Sequence, residues 1–449
     1  MNNILTTPGW RMFQALFDDA EKAGLSLVPL RPRPRDAETA LSGGDYDLLM
    51  PVDGFPLLVA VLWQRALNEC ASFSINHVNP HKLQVFLHLP EMGRNILLEI
   101  WTRLEVRDPA RRSARFIPWS ALAPLIVATP EGSRLPPAVE IAYYLSHLAS
   151  RTKQVEQPLV AQRLAAYGAL ARERAPELSP LLDGLTNDRI RAAAIAGNAH
   201  LRHLGVLESR NAIGAFTGSV CARFDSMLRQ RRRRRLQRAR IIAMTGPDGS
   251  GKSTLITRWC ESVESALRSQ RFKNLFRHHP RYQLFRFLNA SATRKRLGGT
   301  MPTNLFDEVH AGTMFHIARA TWPWFRLLVA LRGRRCLDRG FPDLLFNGLR
   351  GTGPQPALRD DWAQFARRMP RPDWHIHLDA SDDVIRGRKQ ELSVAALQCY
   401  RDGMAKIIGA APANGISRLD TSGPVDAVAA CLRLAADSLG VRLPWKKSP

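Results

Sequence analysis

The chain has 449 residues, 45% of them hydrophobic and 8% aromatic, and its 64 lysines and arginines against 40 acidic residues give a formal charge of +24. That length suits two or three globular domains with ordinary cores, which excludes a disordered chain. The charge predicts attraction to polyanions such as nucleotides, nucleic acid or an anionic membrane surface, and is silent about fold. The six cysteines (Cys70, Cys221, Cys260, Cys336, Cys399 and Cys431) are scattered without a Cys-x-x-Cys pair or zinc spacing, so a reduced compartment is expected. Residues 1–8 lack the basic start and apolar run of a secretory signal, and no segment offers the ~18 uninterrupted apolar residues of a membrane span. The expected address is the cytoplasm, or the inner face of a membrane.

Residues 1–115 read as one α+β unit. Residues 10–23 carry apolar side chains at helical spacing and stop at Gly24, and residues 25–30 follow as a short strand. After a loop rich in arginine and proline come Gly43, Gly44, Asp45, Tyr46 and Asp47. Carboxylates two apart on a strand project from one face, so Asp45 and Asp47 can share a divalent ion, with Glu99 on a later strand as candidate third ligand. The plain alternative is a polar turn entering a strand, with Asp45 satisfying backbone donors.

Residues 116–228 read as a helical connector, because apolar residues recur three and four apart over 139–148, 159–171 and 189–204. Its Tyr143, Tyr144, His147, His200 and His203 are expected to pack or face solvent. Residues 229–240 hold a basic run: Arg229, then Arg231, Arg232, Arg233, Arg234 and Arg235, then Arg238 and Arg240. Such a block suits a solvated linker at a domain boundary. A patch for anionic lipid through Arg231 to Arg235 is the next reading. Nucleic acid comes last, since no recognition fold accompanies the run.

Residues 241–254 are the most specific stretch. Apolar residues 241–244 enter a glycine-rich turn that fits G-x-x-x-x-G-K-[ST], and Leu255 and Ile256 open an apolar periodic segment, the strand, loop and helix order of a phosphate-binding P-loop. Glycine tolerates the dihedrals that let backbone N–H groups curl around phosphate oxygens, and the helix N-terminus adds partial positive charge. The expected phosphate binders are Gly246, Gly249, Ser250, Gly251, Lys252, Ser253 and Thr254, with Lys252 on the β- and γ-phosphates and the Ser253 hydroxyl on Mg²⁺. Beyond the loop, short apolar strands alternate with helices, which predicts an α/β domain over residues 241–441 with a parallel sheet flanked by helices. Its strands end at Asp338 and Arg339, at Asp379 and at Asp420, and a last helix covers 424–438. Ligands of open sheets sit outside such carboxyl ends. His375 and His377 share a strand face there and are expected to line the cleft rather than hold a metal.

The order Gly246 to Thr254, then Asp338 and Arg339, then Asp373, Asp379, Arg388 and Tyr400, resembles thymidylate kinase-like P-loop kinases over residues 238–441. That resemblance implies phosphoryl transfer from ATP with Mg²⁺. It places Lys252 and Ser253 on the donor, Arg388 on the phosphates from a mobile lid, Arg339 on the acceptor and Asp248 facing the acceptor hydroxyl. Asp338 would help hold the magnesium shell through water, and a homodimer is compatible. The chain departs from thymidylate kinases at Gly340, Phe341, Pro342 and Asp343 and has no clear thymine-binding region. Its cationic segment at 276–281 suits an anionic or polyhydroxylated acceptor, a nucleoside monophosphate or a sugar or glycan hydroxyl. Residues 1–115 resemble the minimal nucleotidyltransferase fold, in which the Asp pair holds Mg²⁺ against a nucleoside triphosphate. Here Gly43 and Gly44 abut the Asp pair, whereas that family separates them by some helix. The two-part arrangement resembles proteins of bacterial surface-polysaccharide pathways.

Overall fold

The computed structural model describes residues 7–30, 45–108, 113–129, 132–151, 155–207, 212–263, 267–272, 283, 303–349, 362–389, 393–410 and 412–445. Gly43, Gly44 and the cationic segment at 276–281 lie outside them. The N-terminal strands are β1 (Val28–Pro29), β2 (Tyr46–Leu49), β3 (Phe73–Asn79), β4 (Lys82–Leu89) and β5 (Arg94–Trp101). Two hairpins follow, β6 (Arg103–Asp108) with β7 (Ser113–Pro118), and β8 (Val127–Thr129) with β9 (Gly132–Arg134). The C-terminal strands are β10 (Ile241–Thr245), β11 (Arg268–Arg271), β12 (Arg335–Asp338), β13 (Trp374–Asp379) and β14 (Gly415–Asp420).

Ten of these strands make one mixed sheet in the order β1-β2-β5-β4-β3-β14-β13-β10-β12-β11. The five C-terminal strands are all parallel, as their alternation with helices predicts, and β10 lies in the middle of them. The seam is antiparallel: Gly415 to Arg418 of β14 pair with Asn76 to Phe73 of β3, and Ser74 Oγ meets Ser417 Oγ at 2.7 Å. A strand pair this deep in the sheet leaves no exposed edge between the two halves.

The helices cover both faces. In the N-terminal half, α1 (Pro8–Lys22) buries Trp10, Phe13, Leu16, Phe17 and Ala20, a stripe at spacings of three and four, and ends before Gly24 at φ 76°. Next to it, α2 (Phe55–Asn68) packs against α12 (Val394–Ala410) closely enough that a Cβ on Gly409 would lie 3.1 Å from Pro56 Cα. One hydrophobic cluster therefore runs from Trp10, Leu62 and Ile75 to Ala243, Phe341, Met404 and Ile416, through both halves.

Two expectations about the middle of the chain change. Residues 116–228 do contain helices, chiefly α3 (Pro137–Arg151), α4 (Pro158–Arg174), α5 (Ile190–His203) and most of α6 (Ala212–Arg238), but the stretch opens with the end of β7, a short helical segment over residues 119–125 and the β8–β9 hairpin. The basic run at 229–240, expected as a solvated linker, is helical through Arg238 as the end of α6. Arginine is a good helix former, and Leu236 and Ala239 are buried against the core under β10, which holds the helix down. In the C-terminal half lie α7 (Lys252–Ser262), α8 (Thr303–Arg332), α9 (Phe341–Leu349), α10 (Trp362–Arg368), α11 (Asp382–Arg388), α12 and α13 (Val425–Ser438). Among the described residues, no helix is long and apolar enough to cross a membrane.

Candidate functional site

The glycine-rich loop leaves the carboxyl end of β10, whose neighbours β12 and β13 follow it in sequence and flank it on either side. This is the point where an open parallel sheet reverses its strand order, and the adjacent loops diverge to leave a crevice. Three glycines of the loop take left-handed or mirror-region backbone: Gly246 (φ 146°), Gly249 (φ 93°) and Gly251 (φ 80°). A Cβ on Gly246 would lie 2.2 Å from Leu378 O, and one on Gly249 would lie 3.0 Å from Ile385 O. The loop is thus pressed against the ends of β13 and α11, and only glycine fits.

Side chains from three segments converge on it. Lys252 begins α7, is 7% exposed, and its Nζ donates to Gly246 O at 2.7 Å and Pro247 O at 2.8 Å. Burial lowers its pKa, against the opposing pull of Asp343 and Asp248. Arg339, at the end of β12, donates from Nη2 to Asp248 Oδ1 at 2.8 Å. Both partners are substantially exposed, so this pair adds little stability and an anionic ligand can separate it. Arg339 has φ 74°, unusual outside glycine, and its N–H donates to Met244 O at 2.8 Å. Such a conformation costs about 1–3 kcal/mol and is typical of functional positions.

Arg388, the last residue of α11, donates from Nη2 to Thr421 O at 2.8 Å, while its Nη1 lies 3.9 Å from where a Cβ on Gly251 would stand. Ser253 and Thr254 are exposed in the first turn of α7, and Asp338 ends β12 close enough to Lys252 to act on its charge. Ser250 is fully buried and its Oγ has no hydrogen-bond partner. The structure thus brings Asp248, Lys252, Asp338, Arg339 and Arg388 around one loop.

A further element was not singled out as a site by the sequence pattern. Gly246 N–H donates to Tyr400 Oη at 3.1 Å, the Tyr400 hydroxyl donates to Asp343 Oδ1 at 2.8 Å, and Gly340 N–H donates to Asp343 Oδ2 at 3.2 Å. This chain fixes the first loop residue to α12 and α9. Asp343 is the third residue of α9 and reaches back to the N–H just before the helix, the acidic arm of a capping box, a signal readable from Pro342-Asp343 at a helix start.

Burial pushes the Asp343 carboxyl up to about 6, against the hydrogen bond from Tyr400 and the charges of Lys252 and Arg339. The native state then holds this proton more tightly than the unfolded chain. Stability is expected to fall as pH rises from about 4 to about 6, by on the order of 3 kcal/mol. Denaturant titrations across that range should show a shallower slope in Asp343→Asn; an unchanged slope would contradict the assignment.

His375 and His377 do not line the cleft. Both are buried behind β10, where Thr245 Oγ1 contacts His375 Nε2 at 2.8 Å and His377 Nδ1 at 3.0 Å. Burial lowers His375 to about 3 and His377 well below its ordinary value, so both are neutral. The reason is tertiary: Trp63 of α2 packs its ring 4.8 Å from that of His377.

A second constellation lies in the N-terminal half. Parallel pairing of β2 with β5 sets Asp47 opposite Glu99, and carboxylate oxygens of Asp45, Asp47 and Glu99 all lie within 4.8 Å of one another. Glu99 pairs with Lys82 and accepts from Gln84 Nε2 at 2.8 Å, and Trp101 Nε1 donates to Asp47 Oδ1 at 3.3 Å. The basic run lies nearby: Arg232 Nη1 donates to His77 O at 3.3 Å.

No protein-family description matches this chain, and neither does any curated protein.

Proposed function

We propose that the protein is an ATP- and Mg²⁺-dependent phosphotransferase of the thymidylate kinase-like P-loop type, acting in the cytoplasm on a nucleoside monophosphate or on a sugar or glycan hydroxyl. The observation that carries this reading is the convergence of Lys252, Arg339 and Arg388, from three different carboxyl-end loops, on one left-handed glycine turn. Phosphoryl transfer needs positioned cations around the transferred group and little covalent machinery. Lys252 would exchange its two loop carbonyls for phosphate oxygens, and Arg388 would close on the same phosphates beside Gly251. Arg339 would leave Asp248 for an anionic acceptor, freeing the Asp248 carboxylate to accept the proton of the acceptor hydroxyl. The Ser253 hydroxyl and, through water, Asp338 suit a magnesium ion, which would neutralise phosphate charge. A hydrolase that only drives conformational work would need no such Asp248 and Arg339 pair. The test is to incubate purified protein with ATP, Mg²⁺ and a panel of nucleoside monophosphates, sugars and glycolipid precursors, and to seek a product heavier by one phosphoryl group. Turnover unaffected by every acceptor would favour the simple ATPase.

The acidic triad supports a second reading, a nucleotidyltransferase-type metal site in the N-terminal half. The closeness of the Asp45, Asp47 and Glu99 oxygens favours it. A divalent cation there would bridge the carboxylates to a nucleoside triphosphate. The arrangement of the two halves fits a role in surface-polysaccharide assembly.

A further inference from the structure

A cavity of about 760 Å³ lies where β3, β4 and β5, the end of α6 and the chain after α13 meet, and the arginine run builds one of its walls. Helical spacing explains which arginines reach it. Arg229, Arg232 and Arg233 are three and four residues apart and share a face of α6, while Leu236 holds the helix in the core. Arg442 enters from the segment after α13. None of these four guanidinium groups forms an ion pair with a carboxylate among the described residues, and the Arg232 bond to His77 O is their one internal hydrogen bond there. Arg232 is half-buried and crowded by the like charges of Arg371 and Arg235. Asp45, Glu99 and Lys82 line the same cavity, and Asp437 completes the set of charged side chains. Five cationic side chains and three carboxylates therefore line it, with Lys82 already paired to Glu99.

Each simple occupant leaves part of this cavity unmatched. A bare divalent cation would suit the carboxylates of Asp45 and Glu99 but offer nothing to the arginines. A free phosphate would satisfy the arginines, whose planar forks suit its oxygens, and be repelled by the carboxylates. A phosphate chain that carries a divalent cation matches both kinds of lining charge, and the volume is that of an ordinary small-ligand pocket. We infer that this cavity binds a metal-chelated polyphosphate or phosphate ester, with Arg229, Arg232, Arg233 and Arg442 as its phosphate side. The metal side rests on the second reading above, and the arginine side stands without it. The basic run is then half of a binding site, and residues 1–115 alone do not contain the whole site.

The experiment is a calorimetric titration of the full chain with manganese tripolyphosphate, with folding of each variant checked by circular dichroism. Wild-type protein should show two binding events, one weakened by Lys252→Ala and one not. Replacing Arg229, Arg232 and Arg233 together by Gln should weaken the second event about tenfold or more, as loss of several charge-assisted contacts requires. Arg442→Ala, which leaves α6 untouched, should weaken the same event by a smaller factor. Asp45→Asn with Asp47→Asn should remove its manganese dependence while tripolyphosphate alone still binds. A second event that is absent, or unchanged in both arginine variants, overturns the inference. Manganese dependence that survives the Asp45 and Asp47 changes overturns only the metal reading.

Discussion

Gly246→Ala is expected to collapse the glycine-rich loop, and with it the nucleotide binding proposed for that loop, while leaving most secondary structure in place. The added Cβ would stand 2.2 Å from Leu378 O, 3.2 Å from Leu378 C and 2.7 Å from Ser250 Oγ, at a φ of 146°. Two of these obstacles are backbone in the buried strand β13, so they cannot swing aside as a flexible side chain would. Overpacking at about 1–3 kcal/mol and backbone strain of about the same size together predict a loss of roughly 3–5 kcal/mol. Tethering of Gly246 N–H to Tyr400 would be lost in the same event. Gly423→Ala is the control, because nothing lies within 4 Å of its Cβ position, and a change within about 0.5 kcal/mol is expected there. Denaturant unfolding of both variants, with an ATP-binding titration, checks this; equal stability would contradict the close packing of the loop on β13.

Asp379→Ala should be the most damaging charge deletion. Asp379 is fully buried, takes Arg401 Nε at 3.0 and 3.2 Å, and lies 3.5 Å from Arg418 Nη2. Arg418 is fully buried too and spends its other contacts on Ala66 O and Ala71 O, at 3.2 and 2.7 Å, at the end of α2. This carboxylate therefore balances two guanidinium groups, one of which ties the N-terminal half to β14. Arg401 keeps Asp382 at its Nη1, so Arg418 is the buried cation left without its paired anion, a loss that typically costs about 3–5 kcal/mol. Asp379→Asn keeps the acceptor oxygen and loses the charge, so an intermediate loss is expected. Hydrogen exchange at the end of α2 should accelerate in Asp379→Ala, a readout that damage confined to the C-terminal half would not move.

Local signals carried much of this structure. The 3.6-residue period of residues 10–23, the apolar run into Gly246 and the strand ends at Asp338, Asp379 and Asp420 are decided by neighbours in sequence, and each lies where its pattern indicates. Asp45, Asp47 and Glu99 also come together, because Asp45 stands just before β2, two residues from Asp47, and β2 pairs with β5. What sequence periodicity could not convey is long-range pairing. Nothing in residues 73–79 announces that β3 joins β14, more than 300 residues later, and that seam turns two expected domains into one sheet. The same seam buries Arg418, and α2 brings Trp63 over His377, so groups that look cleft-lining from their strand position end in the interior. The arginine run misleads for a related reason: like charge suggests a solvated linker, but helical phase sends Leu236 into the core and Arg229, Arg232 and Arg233 to one cavity. Asp343 was hidden in what reads as a departure from the kinase pattern, and its role depends on Tyr400, 57 residues away.

The most direct test of the central claim follows the label from γ-labelled ATP in wild-type protein and in Lys252→Ala, with the acceptor panel present and absent. A kinase site predicts label in an acceptor product that depends on the acceptor. It also predicts loss of that product by a factor of about 100 or more in Lys252→Ala, as expected when a preorganised charge at the reacting phosphates is removed. Label released only as inorganic phosphate, or acceptor product formed equally well without the Lys252 ammonium, would contradict it.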